Sequence, residues 1–160
     1  MQGKAHKFGN DINTDYIISG RYKFSITDPK ELAKHIFEDI SPGFFQKIKD
    51  GDFVVAGRNF GCGSSREQAP LAIKVSGVKA VLAKSFARIF YRNAINLGLM
   101  LIEADTSRID DSDELEIDLE SNKIRNITKD IVIDIKPLPS LMQEILRAGG
   151  AIEYFKKHKI

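Results

Sequence analysis

Residues 52–75 constrain the fold more than any other stretch, because they read as strand, glycine-rich turn and helix in immediate succession. Asp52-Phe53-Val54-Val55-Ala56-Gly57 is a short apolar run with the pattern of a buried strand. From Glu67 onward, Leu71, Ile73 and Val75 with Ala69 and Ala72 fit a helix of about three turns. The junction between them, Phe60-Gly61-Cys62-Gly63-Ser64-Ser65-Arg66-Glu67-Gln68-Ala69, is therefore read as a helix N-terminus. Amides without intrahelical partners and the positive end of the helix dipole favour an anion at such a place. Gly61 and Gly63 allow close backbone approach, Ser64 or Ser65 is positioned to cap the helix, and Arg66 offers a planar fork for a carboxylate. A plain serine-capped glycine loop satisfies the same pattern.

Two familiar phosphate-binding fingerprints do not fit. A dinucleotide loop needs a third glycine where Arg66 stands and an acidic residue about 20 positions on, and Val81-Leu82-Ala83-Lys84-Ser85 supplies none. No Gly-Lys-Ser or Gly-Lys-Thr follows the glycines, which excludes a P-loop.

The rest of the chain alternates strand-like and helix-like segments without repeats. Strands are predicted at Ala5 to Phe8, Ala80 to Ala83 and Met100 to Glu103, and helices at Asp28-Pro29 through Phe37, Phe44 to Ile48 and Phe86 to Asn96. Leu115 to Leu119 and Ile131 to Ile135 alternate apolar with polar residues, the mark of half-buried strands, with Ser121-Asn122 as the turn between them. Ser140 is predicted to cap a helix stopped by Gly149-Gly150, before a last short helix. This is a β-rich α/β pattern. A chain of 160 residues, 42% hydrophobic, is read as one domain over 1–160 with a real core.

Composition narrows the function classes. A net charge of +2 with acidic and basic residues intermixed carries no electrostatic footprint for nucleic acid, and the basic run Lys156-Lys157-His158-Lys159 reads as a solvated helix end. No apolar run approaches the roughly 18 residues that span a bilayer, and Met1-Gln2-Gly3-Lys4 does not begin a signal peptide. A cytoplasmic protein is expected, without an internal disulfide, since Cys62 is the only cysteine.

Three ordered blocks carry a resemblance: Asp11-Ile12-Asn13-Thr14-Asp15-Tyr16-Ile17, Asn59 to Glu67, and Ser85-Phe86-Ala87-Arg88-Ile89-Phe90-Tyr91-Arg92-Asn93-Ala94-Ile95-Asn96. With them the chain resembles the small subunits of the isopropylmalate isomerase and homoaconitase group, equivalent to the swivelling β/β/α final domain of aconitase. The resemblance implies one part of a two-subunit hydro-lyase that moves a hydroxyl on a small di- or tricarboxylate. It also implies a separate large subunit bearing a [4Fe–4S] cluster and much of the active site. Cluster ligands are cysteine thiolates, so Cys62 alone cannot hold one, and no metal site is expected on this chain.

By its match to the family motif, Ser64 resembles the serine that acts as base in alkoxide form. None of His6, His35 or His158 is close in sequence, which leaves local positive potential to stabilise the alkoxide. Ser65 and Arg66 are then carboxylate ligands, and Asp15 orients the site or, as the plainer alternative, makes an Asx-turn. Arg88 and Arg92, four apart on one helix face, can reach a carboxylate or the partner, or serve structure alone. In Gly20-Arg21-Tyr22-Lys23-Phe24-Ser25 the homoaconitase type places an arginine at the Phe24 position. Apolar Phe24 fits an isopropyl group, whereas Lys23 leaves a γ-carboxylate open. The implied order of substrates is isopropylmalate, then homoaconitate, then dimethylmaleate, with a carboxylate or phosphate sensor as the non-enzymatic alternative.

Overall fold

The computed structural model describes residues 1–159, with Lys23 described by its backbone alone. Seven strands, β1 (Gln2–Lys7), β2 (Phe53–Val55), β3 (Ala80–Ala83), β4 (Met100–Glu103), β5 (Glu114–Asp118), β6 (Lys123–Asn126) and β7 (Ile131–Asp134), form one sheet in the order β4-β3-β2-β1-β5-β6-β7. The β1-β2-β3-β4 pairs are parallel, and β5, β6 and β7 continue antiparallel from β1. Among the described residues eight α-helices complete it: α1 (Thr14–Ile17), α2 (Gly20–Lys23), α3 (Pro29–Ala33), α4 (Phe44–Lys47), α5 (Gln68–Val75), α6 (Arg88–Asn96), α7 (Ser140–Ala148) and α8 (Ala151–His158).

Residue alternation along the strands creates two cores. Phe53, Val55, Ala80, Leu82 and Ile102 point into an inner core with Leu115, Ile117, Ile124 and Ile133. Val54, Val81, Ala83 and Leu101 face the helices on the other side. Strands β2, β3 and β4 are thus buried on both faces and read as unbroken apolar runs, whereas the meander is buried on one face and alternates. An antiparallel bridge between Ala104 and Ile135 joins the two ends of the sheet, curling it around the inner core. Each of the large side chains buried there contributes about 1.5–3 kcal/mol.

The α/β class and the strands at Ala80 to Ala83 and Met100 to Glu103 agree with expectation; β1 (expected at Ala5 to Phe8) and α6 (expected from Phe86) are shifted, and four further elements differ. The expected helix through Phe37 ends at Ala33: the amides of Lys34, His35 and Ile36 bond only three residues back, and Phe37 then takes a left-handed backbone (φ 55°). From there its amide donates to the Ile17 carbonyl at 2.9 Å and its ring is fully buried. The turn at Ser121-Asn122 leads into β6, a strand the sequence pattern concealed, rather than directly into β7. Ser140 is the first residue of α7, whose N-cap is Pro139 with no side-chain cap. Likewise α5 begins at Gln68 with Glu67 as its N-cap, and no side chain caps it.

The first three parallel strands deliver their C-terminal loops to one place. Asn13 pairs with Cys62 and Phe60 with Phe86 in isolated parallel bridges. The Gly61 amide donates to Ile12 O at 2.7 Å and the Ala87 amide to Phe60 O at 2.9 Å. Ligand sites in open α/β sheets lie at this end of the strands.

Candidate active site

The Gly61-to-Arg66 loop is fixed from below by Phe90. Gly61 has φ +84°, and a Cβ there would stand 2.2 Å from Phe90 Cγ, so both the backbone conformation and the close approach require glycine. At Gly63 the φ of +90° alone requires glycine, since a Cβ there would make only ordinary contact with Asn13 Cβ at 3.4 Å. Thr14 completes the support: its amide donates to Cys62 O at 2.9 Å and its hydroxyl to Ser64 O at 2.8 Å. The sequence did not single out Thr14 for a role, although it lies within the first motif. Asn13 in turn caps α1 by accepting from the Tyr16 amide at 3.0 Å.

Held this way, Gly61, Gly63, Ser64, Ser65 and Arg66 line one side of a cavity of about 300 Å³, with Thr14 beside them. The N-terminal half of α6 forms the other side through Arg88, Ile89, Phe90 and Asn93. Of the two arginines expected on this helix, Arg88 lines the cavity and Arg92 does not. Ser64 and Ser65 are exposed, so both hydroxyls are open to a ligand.

Neither serine caps α5, which corrects the expectation that one of them would. They lie three and four residues ahead of the first helical residue, Gln68. The helix end is also poorer in free amides than a generic N-terminus. Its Ala69 amide donates to Arg66 O at 3.2 Å, and Pro70 has no N–H. The charged residues that share the cavity lining with Ser64 are Arg66 within the loop and Arg88 of α6.

Arg66 is the unusual group. Its side chain is 15% exposed, and Nη1 lies 2.5 Å from Oδ1 of Asp15. The contact is an ion pair by distance but is not aligned as a hydrogen bond, so Nε and Nη1 are both buried without a hydrogen-bond partner. The backbone of Gly20 lies beside the group: a Cβ there would stand 3.7 Å from Nη1 and 3.9 Å from Nη2. Asp15 itself is 57% exposed and free to turn outward. A buried guanidinium with unfilled donors is costly, and an incoming carboxylate would fill them.

Among the other expected site residues, Phe24 stands just past the end of α2, one turn beyond Gly20, and is 87% exposed. It does not line the 300 Å³ cavity. The Lys23 side chain lies outside the described residues. The histidines are committed elsewhere: His6 to Asp52 at 2.7 Å, His35 to Glu38 at 2.8 Å and His158 to Tyr154 O at 2.9 Å. Burial, seconded by the Asp11 carboxylate, pushes the Cys62 thiol above its ordinary pKa, which disfavours the thiolate. Among the described residues no three His, Cys, Asp or Glu side chains converge on a metal position, and no helix is long and apolar enough to cross a membrane.

Comparison with known proteins now places this geometry. Residues 28–107 match the aconitase C-terminal domain family. The chain is 58% identical over 158 residues to 3-isopropylmalate dehydratase small subunit 2 of Archaeoglobus fulgidus, covering 99% of this chain and 96% of that protein. It is 56% identical over 158 residues to the 3-isopropylmalate dehydratase small subunit of Methanosarcina acetivorans, with 98% and 97% covered. It superposes on the crystal structure of the 3-isopropylmalate dehydratase LeuD from Methanocaldococcus jannaschii with a TM-score of 0.95 and 55% identity, over 99% of this chain and 94% of that one. Fold and loop together are those of an aconitase C-terminal domain. Within that class, the chain belongs to the 3-isopropylmalate dehydratase small-subunit family.

Proposed function

We propose that the chain is the small subunit of a 3-isopropylmalate dehydratase, working in the cytoplasm in leucine biosynthesis. With a large subunit it would interconvert 2- and 3-isopropylmalate by removing water and adding it back on the neighbouring carbon. The observation that carries this reading is Arg66, buried with unfilled donors beside two exposed serine hydroxyls. A hydroxy dicarboxylate supplies what such a group lacks.

In this reading the chain acts as one unit over 1–160 and contributes the base and the carboxylate clamps. Arg66 receives a substrate carboxylate on Nη2 together with Nε or Nη1, and Asp15 swings outward as it arrives. Ser65 adds a hydroxyl donor to the same carboxylate. Ser64 Oγ, ionised in the field of Arg66 and Arg88, takes the proton from the carbon next to a carboxylate and returns it when water adds back. A [4Fe–4S] cluster on the large subunit, the group expected for this family, would supply the Lewis acid for the departing hydroxyl. This chain's donors do not fit such a cluster, because Cys62 is a single thiol held protonated by its surroundings.

Phe24 supports the choice of substrate. It lies four residues beyond Gly20, whose backbone neighbours Arg66, and in this reading it meets the end of a substrate whose carboxylate Arg66 holds. An isopropyl group against an aromatic ring gains about 1–3 kcal/mol from burial, whereas a carboxylate there loses hydration without a partner. The test is anaerobic mixing of this chain with the large iron–sulfur subunit, followed by assay on 3-isopropylmalate and homoaconitate. Turnover of isopropylmalate by the mixture alone supports the reading. Preference for homoaconitate, or a cluster and turnover on the isolated chain, overturns it.

A further inference from the structure

Resting on that reading, we infer that Tyr22, Glu38 and His35 are positioning residues that hold the α1–α2 segment beside Arg66 and so set the affinity for substrate. The segment carries Asp15, Gly20 and Phe24 on barely two short turns of helix, too little to hold a shape by itself. It is fastened at both ends. At one end Asp15 lies on Arg66. At the other, the Tyr22 ring stacks on His35 with centroids 3.9 Å apart and planes at 18°. Glu38 is the hub of this second fastening. Its carboxylate meets His35 Nδ1 at 2.8 Å and so holds the ring on which Tyr22 stacks.

The fastening stands on firm ground, because the segment bearing His35 and Glu38 is itself set into the core. Ile36 and Phe37 between them are buried, and the Phe37 amide donates to Ile17 O at 2.9 Å. Arg21 adds an ion pair to Asp39 at 2.6 Å, but those side chains are 63% and 40% exposed, and pairs in that setting contribute little. The His35–Glu38 contact, at 29% and 39% exposure, is somewhat better shielded and is reinforced by the Tyr22 ring stacked on His35.

None of the three side chains lines the cavity beside Ser64. Their effect on the reaction therefore runs through Gly20, which lies beside the Arg66 guanidinium, and through Phe24 one turn on. If the segment is loosened, substrate must order it on binding, which weakens affinity while leaving the bound site intact. A KM effect without a kcat effect is the signature.

The experiment uses Tyr22→Leu, which removes the ring stack, and Glu38→Gln in the complex with the large subunit, with Asp39→Asn as the comparison. Loss of an aromatic stack, or of a hydrogen bond to a charged group, corresponds to about a tenfold increase in local opening. Amide hydrogen exchange over residues 18–26 should quicken about tenfold in Tyr22→Leu and Glu38→Gln while exchange in β3 is unchanged. The KM for isopropylmalate should rise about tenfold with kcat within about twofold, and Asp39→Asn should change neither by more than about twofold. Unaltered exchange over 18–26 overturns the inference, as does faster exchange with KM unchanged, which would make the fastening merely structural. A wild-type complex that does not turn over isopropylmalate refutes the functional reading instead, and with it this inference.

Discussion

Replacing Arg66 by lysine keeps one positive charge and removes the planar fork, so it isolates the contribution of two-point carboxylate binding. In the free chain Nε and Nη1 are buried without hydrogen-bond partners, and the nearest anion, Asp15, approaches Nη1 at 2.5 Å without hydrogen-bond alignment. A substrate carboxylate therefore gains two charge-assisted hydrogen bonds from arginine but only one from the smaller ammonium. Each such bond is worth about 1.5–3 kcal/mol, so kcat/KM should fall about 10- to 150-fold. The fold should survive, since an ammonium can still pair with Asp15. The assay is steady-state turnover of 3-isopropylmalate by the reconstituted complex, followed by ultraviolet absorbance of the unsaturated intermediate. Thermal denaturation of the variant chain serves as the control for folding. A variant that melts like the wild type and keeps kcat/KM within about twofold would refute the reasoning and remove Arg66 from the carboxylate site.

Three further outcomes follow from single residues. Gly61→Ala should destabilise the chain by about 3 kcal/mol or more, lowering Tm by about 6–12 °C, through a clash with Phe90 at a positive φ; a shift under about 2 °C would show that Phe90 yields. Burial alone would raise the pKa of Asp52, but the His6 ring and the Lys49 and Lys4 amides outweigh it and hold the carboxyl below its ordinary range. Its contribution is then fully present above the unfolded pKa of about 3.9 and is lost as pH falls through the lower folded value. Asp52→Asn should accordingly cost about 1–3 kcal/mol in urea unfolding at pH 7, with a gap to wild type that closes near pH 3; a gap unchanged at low pH contradicts this. Phe24→Arg should lower the ratio of kcat/KM for isopropylmalate over homoaconitate about 10²-fold, and an unchanged ratio would take Phe24 out of the specificity pocket.

What the sequence disclosed and what it hid have physical causes. The strands β2, β3 and β4 were plain because parallel strands buried on both faces show as unbroken apolar runs. The strand β6 was hidden because only Ile124 and Asn126 turn inward, and the second is polar. Asn126 sits in the core by donating to Asp113 at 2.7 Å and to Arg108 O at 3.3 Å, a pairing no local pattern announces. The short motif Asn59 to Glu67 pointed to the loop that lines the 300 Å³ cavity, yet it also suggested that one of its serines caps the helix. Local spacing does not reveal that α5 waits until Gln68. The contacts that set Arg66 were also out of reach, since Asp15 and Gly20 come from a segment more than forty positions away and meet it only when β1 and β2 pair.

The central claim, that Ser64 supplies the base to a shared active site, is tested most directly by Ser64→Ala in the anaerobically assembled complex. Turnover and substrate affinity are measured side by side, because the substitution deletes one hydroxyl while leaving Arg66 and the Thr14 support of the loop carbonyl in place. The account predicts that the complex assembles, binds 3-isopropylmalate within a few-fold of wild type, and loses turnover by about 10³-fold or more. Near-normal turnover of the assembled variant would contradict it and leave Ser64 no more than part of the loop.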